Sequence, residues 1–218
     1  MEYSKNQFRR FTFFLEIDSK ETISNFLKGD VAKLQTDGIL SLEGYQKENQ
    51  YFFLVDVLPE MKFIDVKKVF TKAQFQPDSL ERIYKFEQTQ IYPAKEGQLK
   101  SKLVEFKRFV WTLLLEEAPE LMAEYRKAHS IGQAWPEITN NMKKVGVKDM
   151  EIYLHGNQAI LIMDTKPDFD LEKVGPEWQK LPRENEWQEY VAKFQRTSPE
   201  SSIQEKWLDM NKINFLQS

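Results

Sequence analysis

The stretch "GVKDMEIYLHGNQAILIMDT", Gly146–Thr165, reads as two strands meeting at His155-Gly156-Asn157. Gly and Asn tolerate positive φ, which suits a tight hairpin turn there. The same stretch lies without a gap over "GILSLEGYQKENQYFFLVDV", Gly38–Val57. At a constant shift of 108 residues, Gly38/Gly146, Tyr45/Tyr153, Asn49/Asn157, Gln50/Gln158 and Asp56/Asp164 coincide. Upstream, "FRRFTFFLEI" (8–17) has a twin in "FKRFVWTLLL" (106–115), and downstream "LERIYKF" (80–86) resembles "MNKINFL" (210–216). Three blocks in one order argue for an internal duplication. The polar stretch 87–105 reads as a linker, so the expected organisation is 1–86, a linker 87–105, and 106–218.

Each copy follows one coarse pattern. An aromatic and aliphatic run makes the first strand, 9–16 and 107–115. In the second copy, Glu116, Glu117 and Pro119 announce a helix. Ala118, Leu121, Met122, Tyr125 and Ala128 are spaced by three and four, so they form one apolar stripe, and His129 falls on it. Pro136 opens a further helix, and Gly146 is placed to end it. After the hairpin, another helix and a final strand over 207–216 complete a β-α-β-β-α-β order. That order predicts an α+β, ferredoxin-like sandwich with helices on one sheet face and an apolar face left open. Two such units in tandem can press those open faces together within one chain.

Composition narrows the function classes. Charged residues make up 30% and hydrophobic ones 41% of 218 residues, as in an ordinary globular protein. Net charge is −3 with no basic stripe, which argues against nucleic acid as a partner. There is no cysteine, so disulfides and thiol catalysis are excluded. "MEYSKNQFRRF" lacks the apolar core of a signal peptide, and "FVWTLLL" (109–115) is too short to span a bilayer. The expectation is a cytoplasmic protein without membrane contact. Only two histidines occur, His129 and His155, too far apart in the chain to suggest a metal site.

The second copy resembles the L-rhamnose mutarotase family. The resemblance runs from Phe106 to Leu216 through "EYRKAH", "WPEI", "GVKDMEIYLHGN", "LPRENEWQEY" and "EKWLDMNKINFL". It implies a dimeric α+β barrel, here expected as an intramolecular pseudo-dimer, no metal or cofactor, and a small-molecule sugar as partner. The implied reaction interconverts the α and β anomers of a six-carbon deoxysugar. The family's proton-donating histidine and the tyrosine four residues before it carry over to His129 and Tyr125. A Trp-Trp pair that contacts the sugar falls on Trp187 and Gln188, and a strand tyrosine falls on Met150. These two replacements, with a His129-to-Trp135 spacing two residues longer than usual, leave the sugar open between L-rhamnose and another deoxysugar such as L-fucose.

The chemistry suits these residues independently. Mutarotation needs a proton to leave the anomeric hydroxyl and one to reach the ring oxygen, and a histidine titrating near neutral serves either step. A tyrosine one turn away holds a hydroxyl, and a tryptophan offers an apolar plate. A Tyr–His pair at i, i+4 is also what a satisfied core looks like. Trp135 before Pro136 reads as helix-start packing, Asp56 and Asp164 as structural or capping, and Trp178 and Trp207 as either pocket or core. In the first copy, "ETISNFLKGD" (21–30) places Phe26 at the position of Tyr125 and Asp30 at that of His129. Residues 1–86 contain neither histidine nor tryptophan. That copy is expected to keep the fold and lack the chemistry. The rival expectation is a sugar-binding or regulatory protein without turnover.

Overall fold

A computed structural model describes residues 4, 6–17, 38–72, 76–87, 89–196 and 206–213. Phe26 and Asp30 of the first copy lie outside the described residues. The chain divides into two compact units, one formed by Met1–Glu81, Tyr92–Lys102 and Met210–Ser218, the other by Arg82–Ile91 and Leu103–Asp209. These are not the contiguous segments 1–86 and 106–218. Each repeat's last strand starts in its own unit and ends in the other.

The second unit holds β7 (Lys107–Leu114), α2 (Pro119–His129), α3 (Pro136–Val145), β8 (Val147–His155), β9 (Gln158–Thr165), α4 (Leu171–Trp178), α5 (Glu184–Ala192) and β10 (Leu208–Asp209). Its sheet order is β10-β7-β9-β8, with β5 (Glu81–Lys85) added beyond β8. Counting strands within the repeat, this is fourth-first-third-second with antiparallel neighbours, the ferredoxin-like arrangement. Strand period two explains the layering. Leu113, Met150, Ile152, Leu154, Leu161 and Met163 point to the helices and join Met122, Tyr125, Ile138, Met142 and Val191 in one core. Val110, Thr112, Glu151, Tyr153, Ile160 and Ile162 occupy the other face and are buried as well.

The first unit repeats that plan. It contains β1 (Gln7–Glu16), β2 (Ile39–Lys47), β3 (Gln50–Val57), α1 (Phe63–Lys72), β4 (Asp78–Ser79), β6 (Gln98–Ser101) and β11 (Asn211–Ile213). The order is β11-β2-β3-β1-β4, with β6 also paired to β1. Equivalence extends to single residues. Both hairpins carry a bulge at matching places, Ile39/Ser41 and Val147/Asp149. Gly38 and Gly146 both have positive φ, and each carbonyl accepts from the strand end opposite, Leu58 or Lys166, at 2.9 Å. Arg10 donates twice to Asp56 at 2.7 and 2.8 Å, as Arg108 does to Asp164 at 2.7 Å for both bonds. The two aspartates therefore tie strand ends rather than cap helices.

Several expectations change. The sheets are open, each with two end strands in its order, so neither closes into a barrel. Residues 98–101, expected as linker, are a strand, because extended Gln98–Ser101 finds the free edge of β1. One expected helix after the hairpin is two, α4 and α5, with the turn at Arg183 taking positive φ. The final strand splits at Met210, and residues 214–216 lie outside the described residues. Among the described residues no helix is long and apolar enough to cross a membrane.

Candidate functional site

Proline sets where both helices after β7 begin. Pro119 and Pro136 occupy first-turn positions, where the missing N–H costs nothing. Gly146 ends α3 in the left-handed conformation, its N–H bonding back to Met142 and Lys143. With α2 so framed, Met122, Tyr125 and His129 face inward along one stripe. His129 is the last residue of α2, 7% exposed, and Tyr125 is 2% exposed.

The tautomer of His129 follows from geometry. Its Nδ1 lies 2.8 Å from the Tyr125 carbonyl oxygen, which can only accept. Nδ1 therefore carries the hydrogen, and in the neutral ring Nε2 is the free acceptor. The bond also satisfies one of the carbonyls left open in the last helical turn. Burial lowers the imidazole pKa to about 4, with the bond to the Tyr125 carbonyl acting against it. Sequence alone suggested a histidine titrating near neutral and able to serve either proton step, and burial instead pushes the ring's pKa down. Desolvation keeps the ring neutral at pH 7, so it accepts a proton before it can give one. Burial also raises the Tyr125 phenol above its usual range and holds it protonated.

Around this pair stands an aromatic wall. The Tyr125 and His129 rings are 4.3 Å apart, and Trp187 on α5 meets His129 edge-on at 5.6 Å. Trp135 lies 5.4 Å from Trp187 and stacks on Tyr190 at 5.9 Å, with the Arg183 guanidinium 4.0 Å over its ring. From β5 comes Tyr84, 6.0 Å from His129, its pKa pushed up to about 12 by burial. A cavity of about 710 Å³ opens among these rings.

All five residues singled out in the sequence line it. Tyr125 and His129 adjoin through α2, and Trp187 and Gln188 enter from α5. Met150 enters from β8 and belongs to the apolar core beneath. Every tryptophan in the chain also lines the cavity, Trp111, Trp135, Trp178, Trp187 and Trp207. Trp135 is thus more than a helix-start packing residue, and Trp178 and Trp207 are pocket residues. Tyr84 was missed because it sits in the first copy, and long-range pairing of β5 with β8 brings it in. Glu184 was missed too. Its Oε1 accepts from Asn141 Nδ2 and Trp178 Nε1, both at 2.9 Å, while Asn141 also donates to the Pro182 carbonyl. Burial raises its pKa above the usual carboxylate range, against those two bonds. The "WQ" spacing pointed to α5, but nothing local marks a glutamate three residues earlier as inward-facing.

Among the described residues lining the cavity there is no Lys or Arg, whereas Glu172, Glu184 and Asp209 are there. Among the described residues, no group of three His, Asp or Glu side chains is placed to hold a metal ion.

Comparison with known proteins matches this part of the chain. An L-fucose mutarotase of Xanthomonas campestris pv. campestris is 26% identical over 106 residues, 49% of this chain and 85% of that protein. A UPF0734 protein of Dictyostelium discoideum is 29% identical over 113 residues, 50% of this chain and 89% of its own. A solved ferredoxin-fold protein of Listeria monocytogenes, described as related to antibiotic biosynthesis monooxygenases, covers 83% of both chains at 13% identity with a TM-score of 0.35. The L-rhamnose mutarotase family matches residues 108–216, half of the chain and all of the cavity lining except Tyr84. The chain belongs to the L-rhamnose mutarotase family.

Proposed function

We propose that the protein is a sugar mutarotase that interconverts the α and β anomers of a neutral deoxyhexose such as L-rhamnose or L-fucose. One observation carries the reading: a neutral imidazole, its tautomer fixed by the Tyr125 carbonyl, stands beside a protonated phenol in an aromatic-walled cavity. Opening a pyranose removes the proton from anomeric O1, breaks C1–O5, forms the C1=O1 aldehyde and puts a proton on O5. Both oxygens are bonded to C1, so one base can serve both. Nε2 of His129 takes the O1 proton and the imidazolium delivers it to O5. Burial makes the imidazolium more acidic than it is in water, which favours that delivery. Tyr125 donates a hydrogen bond to the oxygen that carries charge during the transfer. Rotation about C1–C2 and the reverse transfers close the other anomer. Only protons move, so the reaction calls for no redox group.

The lining supports the substrate class. Tryptophan faces suit the C–H face of a sugar, and a described lining that holds Glu172, Glu184 and Asp209 without Lys or Arg disfavours phosphorylated or acidic sugars. The absence of histidine and tryptophan from residues 1–86 fits a scaffolding role for the first copy, which also lends β5 to the second unit. Duplication of one unit would account for the shared strand order. The test is one-dimensional saturation-transfer NMR on L-rhamnose, L-fucose and a sugar phosphate. Catalysed exchange with a neutral deoxysugar and none with the phosphate is expected. Binding without faster exchange would replace the mutarotase with a sugar-binding protein.

A further inference from the structure

Beyond the histidine and tyrosine, Gln195 lines the cavity, and its Oε1 has no hydrogen-bond partner among the described residues. Helix α5 lines the cavity with Glu184, Trp187, Gln188 and Val191, spaced by three, one and three, so one stripe faces it. Gln195, three residues past the end of α5, lines the cavity too. Its backbone is fixed from several sides. The N–H of Gln195 bonds to Ala192, and a β-bridge joins Gln195 to Leu115. On either side, Glu116 N–H donates to Phe194 and Arg196 N–H to Leu114. Phe194, the preceding residue, packs edge-on against Tyr125 at 5.4 Å, so Gln195 stands at the catalytic end.

The side chain is 6% exposed, and its Oε1 is buried with no hydrogen-bond partner among the described residues. A buried amide oxygen without a donor is costly in the free protein. Leucine or methionine would fill the same volume without that cost. A polar group kept at such a position is explained by a donor that arrives with the ligand, and the lining around it suits a sugar.

Resting on the mutarotase reading, we infer that Gln195 is a specificity-determining residue whose side-chain oxygen accepts a hydrogen bond from one hydroxyl of the bound sugar. A site built around such an acceptor rejects a sugar that lacks or misplaces the hydroxyl, because the oxygen is then left buried and unpaired. Gln195 moves no proton in the reaction. It selects which sugar sits over His129.

The experiment is kcat/KM for anomer exchange with a panel of neutral sugars, including L-rhamnose, L-fucose and analogues each deoxygenated or epimeric at one ring position. Gln195→Met should fold and melt no lower than the wild type without sugar. Its kcat/KM for the preferred sugar should fall by about tenfold or more, while the analogue lacking the recognised hydroxyl is exchanged no worse than by the wild type. The preference among sugars thus collapses. Equal loss on every sugar, or no loss on any, overturns the inference while leaving the mutarotase reading intact. Absence of exchange by the wild type on every sugar overturns both. A second readout needs no substitution: on adding the preferred sugar to the labelled wild-type chain, the Gln195 side-chain carbonyl 13C resonance should shift. A resonance unmoved at saturating sugar overturns the inference even if Gln195→Met does not fold.

Discussion

Lowering the pH should destabilise the protein through His129, by an amount that follows from its burial. The imidazole titrates at about 4 in the folded chain and near 6.5 when unfolded, because folding removes it from water. The unfolded chain therefore binds the proton more tightly, and stability is complete above pH 6.5 and lost as pH falls towards 4. Each pH unit between the two values is worth about 1.4 kcal/mol, so the full loss below pH 4 is on the order of 3 kcal/mol. At pH 4.5 most of that loss is already present, a large share of the roughly 5–15 kcal/mol typical of a folded domain. Carboxylates also titrate in this range, so the assay is a difference. Urea unfolding of the wild type and of His129→Gln is compared at pH 7.5 and pH 4.5. The variant has no imidazole at this site, and the wild type should lose about 2–3 kcal/mol relative to it across that interval. A constant difference would refute the reasoning, and so would an imidazole resonance of His129 with a midpoint near 6.5.

Catalysis by the same neutral ring should be level from pH 6 to 8 and decline only as pH approaches 4; a fall centred on 6.5 in kcat/KM would contradict it. Arg82 and Glu151 form an ion pair with both side chains 1% exposed, joined by the Tyr153 hydroxyl. Arg82→Met should cost about 3–5 kcal/mol in chemical unfolding by stranding the carboxylate. Residues 106–218 expressed alone lack β5, and with it Arg82 and Tyr84; they should aggregate or unfold early, and residues 1–105 added in trans should rescue them. A monomeric, fully active fragment would show that β5 is dispensable. Trp187→Ala should weaken sugar binding about tenfold or more in saturation-transfer titrations while changing the melting point little, because Trp187 is only partly buried in the core it touches.

What was legible in the sequence was local. Pro119, Pro136 and Gly146 mark helix ends because each acts on its own backbone, and all three stand where the chain implied. The hairpin and its repeat at Gly38 and Gly146 were readable for the same reason. Pairing between distant segments was not. Nothing in "LERIYKF" tells that Ser79 stays with β1 while Arg82 to Lys85 join β8, or that Gln98–Ser101 will find β1. Tyr84 enters the cavity only through that exchange. Spacing placed Tyr125 and His129 on one stripe, but the charge state of His129 depends on how many apolar groups fold over it. Gln195 was invisible for a related reason: an unpartnered oxygen is a property of the whole cavity.

The most direct measurement is saturation transfer between the anomeric proton signals of the exchanged deoxysugar at pH 7, with wild-type protein and with His129→Ala. Both proteins should have the same secondary structure by circular dichroism. The account predicts catalysed exchange by the wild type, loss of all exchange above the spontaneous rate in His129→Ala, and a smaller loss in Tyr125→Phe. Exchange by His129→Ala at the wild-type rate would contradict it and remove the proton transfer from this cavity.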